Sequence, residues 1–235
     1  MLNSLTDPRE IRDELRSQGV ALTHLPTADA PTIVRFCQQF GTIRPHRDAD
    51  RDGITRIRRV DAVSNDATYK AFGEGELLPH TDGSSVPAPP NLVIQYCVRP
   101  AQLGGATLLV DASTVWTRLT KTRPYLADVL AKPNTVWFGL GPSAYLGSIF
   151  TVINGRPEVR FRYDDQGYYS KEVALALPYL MEVIYSEAIT VNLAASDLIL
   201  IDNKRWLHGR TTFSGPRELW RTLVDSQHSQ QLPDA

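Results

Sequence analysis

Leu78-Pro79-His80-Thr81-Asp82-Gly83 is the stretch on which the fold turns. It sets a histidine and an aspartate one residue apart. In an extended strand residues i and i+2 project to one side, so both side chains can reach one cation. Alone the pair says little, because His-x-Asp arises by chance and most isolated histidines are surface or satisfied core residues. The weight comes from a distant second stretch, Trp206-Leu207-His208-Gly209-Arg210. Two imidazoles and a carboxylate suit one face of an octahedral iron(II) and leave three adjacent positions open. The third ligand must then arrive on a strand remote in sequence, as antiparallel barrels and jelly rolls allow. The fold expected is mostly β with flanking helices, around a double-stranded β-helix (jelly-roll) core.

Outward from His208, Ser214-Gly215-Pro216 reads as a turn, followed by Arg217 and Arg221 in a strand-like run. A hairpin there would place an arginine beside the metal, where a guanidinium fork can hold the far end of a dicarboxylate that chelates the ion. Upstream, Gly104-Gly105-Ala106-Thr107-Leu108-Leu109-Val110-Asp111 reads as a glycine turn entering a strand. Taken singly, each feature has an ordinary explanation: strand-surface arginines, a β-forming threonine, a turn.

In their order and gaps, these three blocks resemble the taurine dioxygenase and clavaminate synthase-like family of iron(II)/2-oxoglutarate-dependent oxygenases, over residues 78–225. The resemblance implies that His80, Asp82 and His208 are metal ligands and that Thr107 and Arg217 hold the distal carboxylate of 2-oxoglutarate. Arg221 matches a position that in relatives faces the substrate's anionic group or lies beside the co-substrate. Because i and i+4 share a strand face, the sequence does not rank the two arginines. The implied chemistry uses Fe(II), 2-oxoglutarate and O2 to hydroxylate an unactivated C–H bond of a small polar metabolite, such as an amino acid or derivative, with release of succinate and CO2; relatives also desaturate or cyclise. Aspartate at position 82 argues against halogenation, since related halogenases lack a carboxylate there. Glu76, Tyr96, Arg162 and Asp164 flank the motifs and are further substrate candidates, though such residues are more often structural. Rival readings are a Jumonji-type hydroxylase, which anchors 2-oxoglutarate through a lysine elsewhere, a cupin-like metal-dependent isomerase or hydrolase, and a non-catalytic jelly-roll binding module.

Composition sets the outer limits. With 235 residues, 42% of them hydrophobic, the chain suits one domain with a substantial core. Helical support is expected over residues 1–41, and the jelly roll with inserted helices over roughly 78–225. A net charge of −1 argues against nucleic acid or an anionic membrane as a bulk partner. A small molecule is the expected partner, and an anionic group on it is expected because Arg221 would otherwise be a charge beside the pocket without a counterpart. No stretch approaches transmembrane length, and residues 1–10 show no basic start before an apolar run. Cys37 and Cys97 lie in apolar contexts as expected free thiols, consistent with a cytoplasmic location. Oligomeric state is not readable.

Local signals place the elements. Asp7-Pro8-Arg9-Glu10 reads as N-cap, N1 proline and capping-box glutamate of a helix stopping near Gly19. A second helix is expected over residues 31–40, with Ile33, Val34, Cys37 and Phe40 as its stripe. Further helices are expected over residues 113–132, interrupted or restarted at Pro124, and over 171–186. Strands are expected over 91–98, 107–111, 136–138, 159–163, 191–193 and 198–201. Residues 44–59 interleave arginine with aspartate and read as a self-compensated surface. Residues 65–76 read as a loop over the pocket, and 226–235 as a polar tail.

Overall fold

A computed structural model describes residues 4–26, 29–58 and 67–226, with only the backbone of 67–69. The larger of its two main sheets runs Ser4–Leu5, Val20–His24, Asp197–Asp202, Leu92–Arg99, Glu218–Asp225, Thr42–Ile43, and Ile54–Arg58 also pairs with Glu218–Asp225. The smaller runs Ile189–Val191, Thr107–Asp111, Trp206–Arg210, Leu77–His80. Val20, Val93, Ile199, Ile201 and Leu223 of the larger sheet pack with Leu109 and Trp206 of the smaller in one buried cluster, so the sheets face each other. These two facing sheets form the expected jelly-roll core. Neighbours in these sheets lie far apart in sequence, which is how residues 80 and 208 come to meet.

The central strands of the larger sheet, Leu92–Arg99 and Asp197–Asp202, are largely apolar on both faces because each is packed on both. Along Leu92–Arg99, Val93 enters the core between the sheets, whereas Leu92, Ile94 and Tyr96 pack outward. Asp197–Asp202 divides the same way, with Ile199 and Ile201 inside and Leu198 and Leu200 outside. Helices α1 (Pro8–Gln18) and α2 (Ala30–Gln38) cover that outer face through Ile11, Ile33, Phe36 and Cys37. Helices α3 (Ala112–Thr122), α4 (Pro124–Ala131) and α5 (Lys171–Ser186) cover the smaller sheet, packing Leu119, Leu130, Leu177 and Leu180 with Val110 and Leu207. A near-continuous hydrophobic run is the sequence mark of such a doubly covered strand.

The local signals hold with specific differences. Asp7 caps α1 by accepting the Arg9 N–H at 2.7 Å, and Gly19 ends it at φ 75°. α2 starts at Ala30, capped by Asp29, and Phe36 rather than Val34 completes its buried stripe. Pro124 separates α3 from α4 and opens the latter, where its missing N–H costs nothing. The strand expected over 159–163 is instead Arg156–Val159, paired with Phe150–Ile153. That expected over 191–193 is Ile189–Val191, paired with Thr107–Asp111. Within 44–59, Arg56 bonds both Asp50 and Asp52, and Arg44 bonds Asp225. Arg59, Asp61 and Asn65 fall outside the described residues, as does the tail beyond Ser226. Ala67–Phe72 is a short 3-10 helix.

Candidate metal centre

His80 ends the edge strand of the smaller sheet and lies directly opposite His208 on the neighbouring strand. Their ring centroids are 4.7 Å apart. Asp82 is not placed by strand alternation, as the spacing had suggested. The strand stops at His80, and Asp82 occupies a turn that continues through Gly83 at φ 67°. The Thr81 N–H donates to the Phe161 carbonyl at 2.8 Å, and the Asp82 N–H to Asn203 Oδ1 at 2.8 Å. One potential ligand atom from each of His80, Asp82 and His208 thereby falls within 4.8 Å of the others. Gly209 makes this approach possible, since a Cβ there would stand 2.4 Å from the Leu77 carbonyl oxygen.

The electrostatics suit a cation. His80 Nδ1 lies 2.9 Å from the Leu78 carbonyl oxygen, which can only accept, so Nδ1 carries the proton and Nε2 the free lone pair. Burial, then the neighbouring His208, pushes the His80 pKa down to about 4, so the imidazole is neutral. His208 Nε2 lies 3.5 Å from Asp82 Oδ2. Burial alone would raise the Asp82 pKa. Arg221, whose Nη1 donates to Oδ1 at 2.9 Å, and His208 override it and hold the carboxyl well below the usual range. Asp82 Oδ2 is left buried without a hydrogen-bond partner among the described residues. An ionised oxygen orphaned between two imidazoles is a donor set that a divalent metal completes. Nitrogen and oxygen donors with no thiolate fit iron(II).

The strand carrying His208 also carries Arg210, paired with Thr107 across the sheet. The stretch that follows does not fold back as a simple hairpin. Phe213–Ser214 pairs with Leu103–Gly104, and the chain then enters the larger sheet as Glu218–Asp225. Arg217 sits at that entry, buried, 5.4 Å from the Phe213 ring centre, with no hydrogen-bonded acceptor among the described residues. Burial lowers its pKa to about 10. Gly105, at φ 76°, keeps this guanidinium uncrowded, because a Cβ would come within 3.3 Å of Arg217 Nε. Arg221 faces inward beside Gln95, its cross-strand neighbour, and its Nε is buried and unpartnered.

Arg162 and Asp164 form a bidentate pair at 2.7 and 2.6 Å, and both interact electrostatically with His80. Glu76 and Tyr96 are not drawn in. Glu76 is exposed and accepts from the Tyr185 hydroxyl at 3.0 Å. Tyr96 lies on the outer face, under the helices and against Trp220, because strand alternation turns it away from Gln95.

Four residues escaped the sequence reading. Asn203 holds the Asp82 turn. Arg210 donates to the carbonyls of Ala71, Gly73 and Gly75 at 3.1, 2.8 and 2.5 Å and lies 4.7 Å from the Phe213 ring centre. Gln95 adjoins Arg221, and half-buried His46 interacts electrostatically with Arg221 and Asp82. Asn203 and Arg210 could have been sought near His208. His46 carries no local signal.

A jelly roll with a 2-His-1-carboxylate cluster on its smaller sheet defines the non-haem metal oxygenase class. The chain belongs to the taurine catabolism dioxygenase TauD, TfdA family, whose model matches residues 2–223. It is 24% identical to a uridine-5'-phosphate dioxygenase from a Streptomyces species over 97% of this chain and 92% of that protein. The structure of an asparagine oxygenase in complex with Fe(II), 2S,3S-3-hydroxyasparagine and succinate superposes with a TM-score of 0.78 at 16% identity, over 92% of this chain and 78% of that one. The non-heme iron oxygenase OrfP, in complex with Fe and alpha-ketoglutaric acid, matches with a TM-score of 0.72 at 18% identity, over 95% and 81%.

Proposed function

We propose that this protein is an iron(II)- and 2-oxoglutarate-dependent oxygenase that hydroxylates an unactivated C–H bond of a small polar metabolite bearing an anionic group, such as an amino acid or derivative. The observation that carries this is a matched deficit in the interior. Among the described residues, Asp82 Oδ2 is a buried anion without a hydrogen-bond donor, and Arg217 is a buried cation without a hydrogen-bonded acceptor. A metal answers the first and a carboxylate the second.

His80, Asp82 and His208 would hold the iron. Thr107 and Arg217 would hold the distal carboxylate of 2-oxoglutarate, a planar anion that matches the guanidinium fork. Bound there, iron(II) supplies the oxidising power, coupling decarboxylation of 2-oxoglutarate by O2 to oxygen insertion, with succinate and CO2 released. The chain's own residues position and neutralise. Arg221 compensates the Asp82 charge and offers its free Nε to the substrate's anion, carboxylate or phosphate, with Gln95 and His46 alongside. The Arg162–Asp164 pair supplies both signs of charge near His80 for the rest of the substrate. With a metal bound, Asp82 would fill the position that a halide would need, which favours hydroxylation over halogenation. A cytoplasmic location belongs to the same proposal and is supported by Cys37 and Cys97, both buried and free.

The test is anaerobic reconstitution with iron(II) followed by 2-oxoglutarate, which should produce a weak visible charge-transfer band. Arg217→Ala should remove it at low co-substrate. Succinate release stimulated by members of a panel of amino acids and nucleotides would then identify the substrate. No band in the wild-type protein overturns the proposal.

A further inference from the structure

We propose that Asn203 is a positioning residue that fixes Asp82 relative to His208, so that metal affinity depends on it; this rests on the metal-site reading above. Asp82 lies beyond the end of its strand, so no sheet ladder holds its backbone. The hold comes from one side chain. Asn203 is 1% exposed, its Oδ1 accepts the Asp82 N–H at 2.8 Å, and its Nδ2 donates to the carbonyls of Asp82 and Pro90 at 2.9 and 3.0 Å. The amide orientation is fixed by chemistry, since reversing it would set N–H against N–H and oxygen against oxygen.

The position of Asn203 in the chain gives this clamp its meaning. Asn203 occupies the turn between Asp197–Asp202 of the larger sheet and Trp206–Arg210 of the smaller. Its own N–H donates to the Asn91 carbonyl at 2.9 Å. One amide therefore ties the turn bearing the carboxylate to the turn that launches the strand of the distal histidine. Arg160 holds the chain beyond Asp82, donating to the carbonyls of Ser84, Val86 and Pro87 at 2.7, 2.5 and 3.0 Å. It does not touch Asp82 itself. Aspartate in place of Asn203 keeps the shape and the acceptor but loses both donors, leaving two buried carbonyls unsatisfied.

Cobalt(II) is a suitable probe, because its visible ligand-field spectrum reports both binding and geometry without turnover. Titrated into the metal-free protein well below its Tm, Asn203→Asp and Asn203→Ala should each weaken binding about 10- to 100-fold and alter the band shape, the range found when groups orienting metal ligands are removed. The KM for 2-oxoglutarate at saturating iron should stay within about twofold in these variants, because Arg217 is untouched. A purely structural role would lower the Tm of the metal-free variants and leave the cobalt isotherm and spectrum unchanged; that result in a folded variant overturns the inference. Should Asn203→Ala fail to fold, Asn203→Asp decides alone. Wild-type protein that binds no cobalt, or binding that survives His208→Ala, overturns the metal site itself and this inference with it.

Discussion

Asp82 has one oxygen on the Arg221 guanidinium and the other, 3.5 Å from His208 Nε2, without a hydrogen-bond partner among the described residues. Its removal should be more damaging than the loss of one ligand, because the Arg221 charge then loses its buried partner. His80→Ala, Asp82→Ala and His208→Ala are each expected to abolish both metal binding and succinate formation while the far-ultraviolet spectrum keeps its β signature. Succinate release surviving all three would refute the ligand set. Arg217→Ala should raise the KM for 2-oxoglutarate by roughly 30-fold to a few thousand-fold, since truncating one side of a buried charge pair costs about 2–5 kcal/mol. Arg217→Lys should recover only part of it, for want of the planar fork. These residues were legible because few side chains can ligate a metal or grip a carboxylate, and both kinds occur here at telling intervals. Asn203 and Arg210 were not, because both act on main-chain carbonyls, which are common to every residue and leave no pattern. Tyr96 was misplaced for a related reason: adjacency to a motif says nothing about which face of a strand a residue occupies.

Single backbone positions decide how the elements fit. Gly209 lies where two strands bring His80 and His208 opposite each other, and the Leu77 carbonyl leaves no room for a side chain. Gly209→Ala should therefore shift the Leu77–His80 strand, lowering Tm by several degrees and reducing metal affinity together. A variant with normal stability and affinity would show that the strand can yield. Gly105→Ala should strain the backbone at φ 76° and set its Cβ against Ala101, Phe213 and the Arg217 guanidinium. The expected result is a higher KM for 2-oxoglutarate with cobalt affinity unchanged. At this scale the capped helices and long buried strands were legible, as with α1 between Asp7 and Gly19. Short edge strands such as Thr42–Ile43 and Phe213–Ser214 were not, because partners elsewhere in the chain define them and their own residues do not. The turn carrying Asp82 was read as strand for the same reason. An alternating pair looks identical whether the ladder continues or stops one residue earlier.

Across the whole molecule, the metal site links stability to pH. The folded state holds the His80 pKa at about 4, below its ordinary value of 6.5. Between these values the unfolded chain takes up a proton that the folded chain refuses, so the stability of the metal-free protein falls as pH drops from 6.5 toward 4. Thermal melts across that window should show the decline, and His80→Ala should flatten it. A wild-type Tm that does not change there would contradict the assignment. Metal binding should weaken only as pH falls toward about 4, where a proton begins to compete for the His80 imidazole.

The two sheets act as separate mounts for one reaction. His80 and His208 hang from the smaller sheet, while Arg221 belongs to the larger and Arg217 stands at its entrance, so the pair expected to grip 2-oxoglutarate, Thr107 and Arg217, straddles the gap. The thickness of the apolar filling between them, Leu109 against Ile199 and Leu223, is consequently a calibrated spacer. A displacement of about 1 Å can cost a hundredfold in rate. Trimming a greasy residue such as Ile201, whose cross-strand neighbours are Val20 and Val93, would thus detune catalysis while the protein still stands.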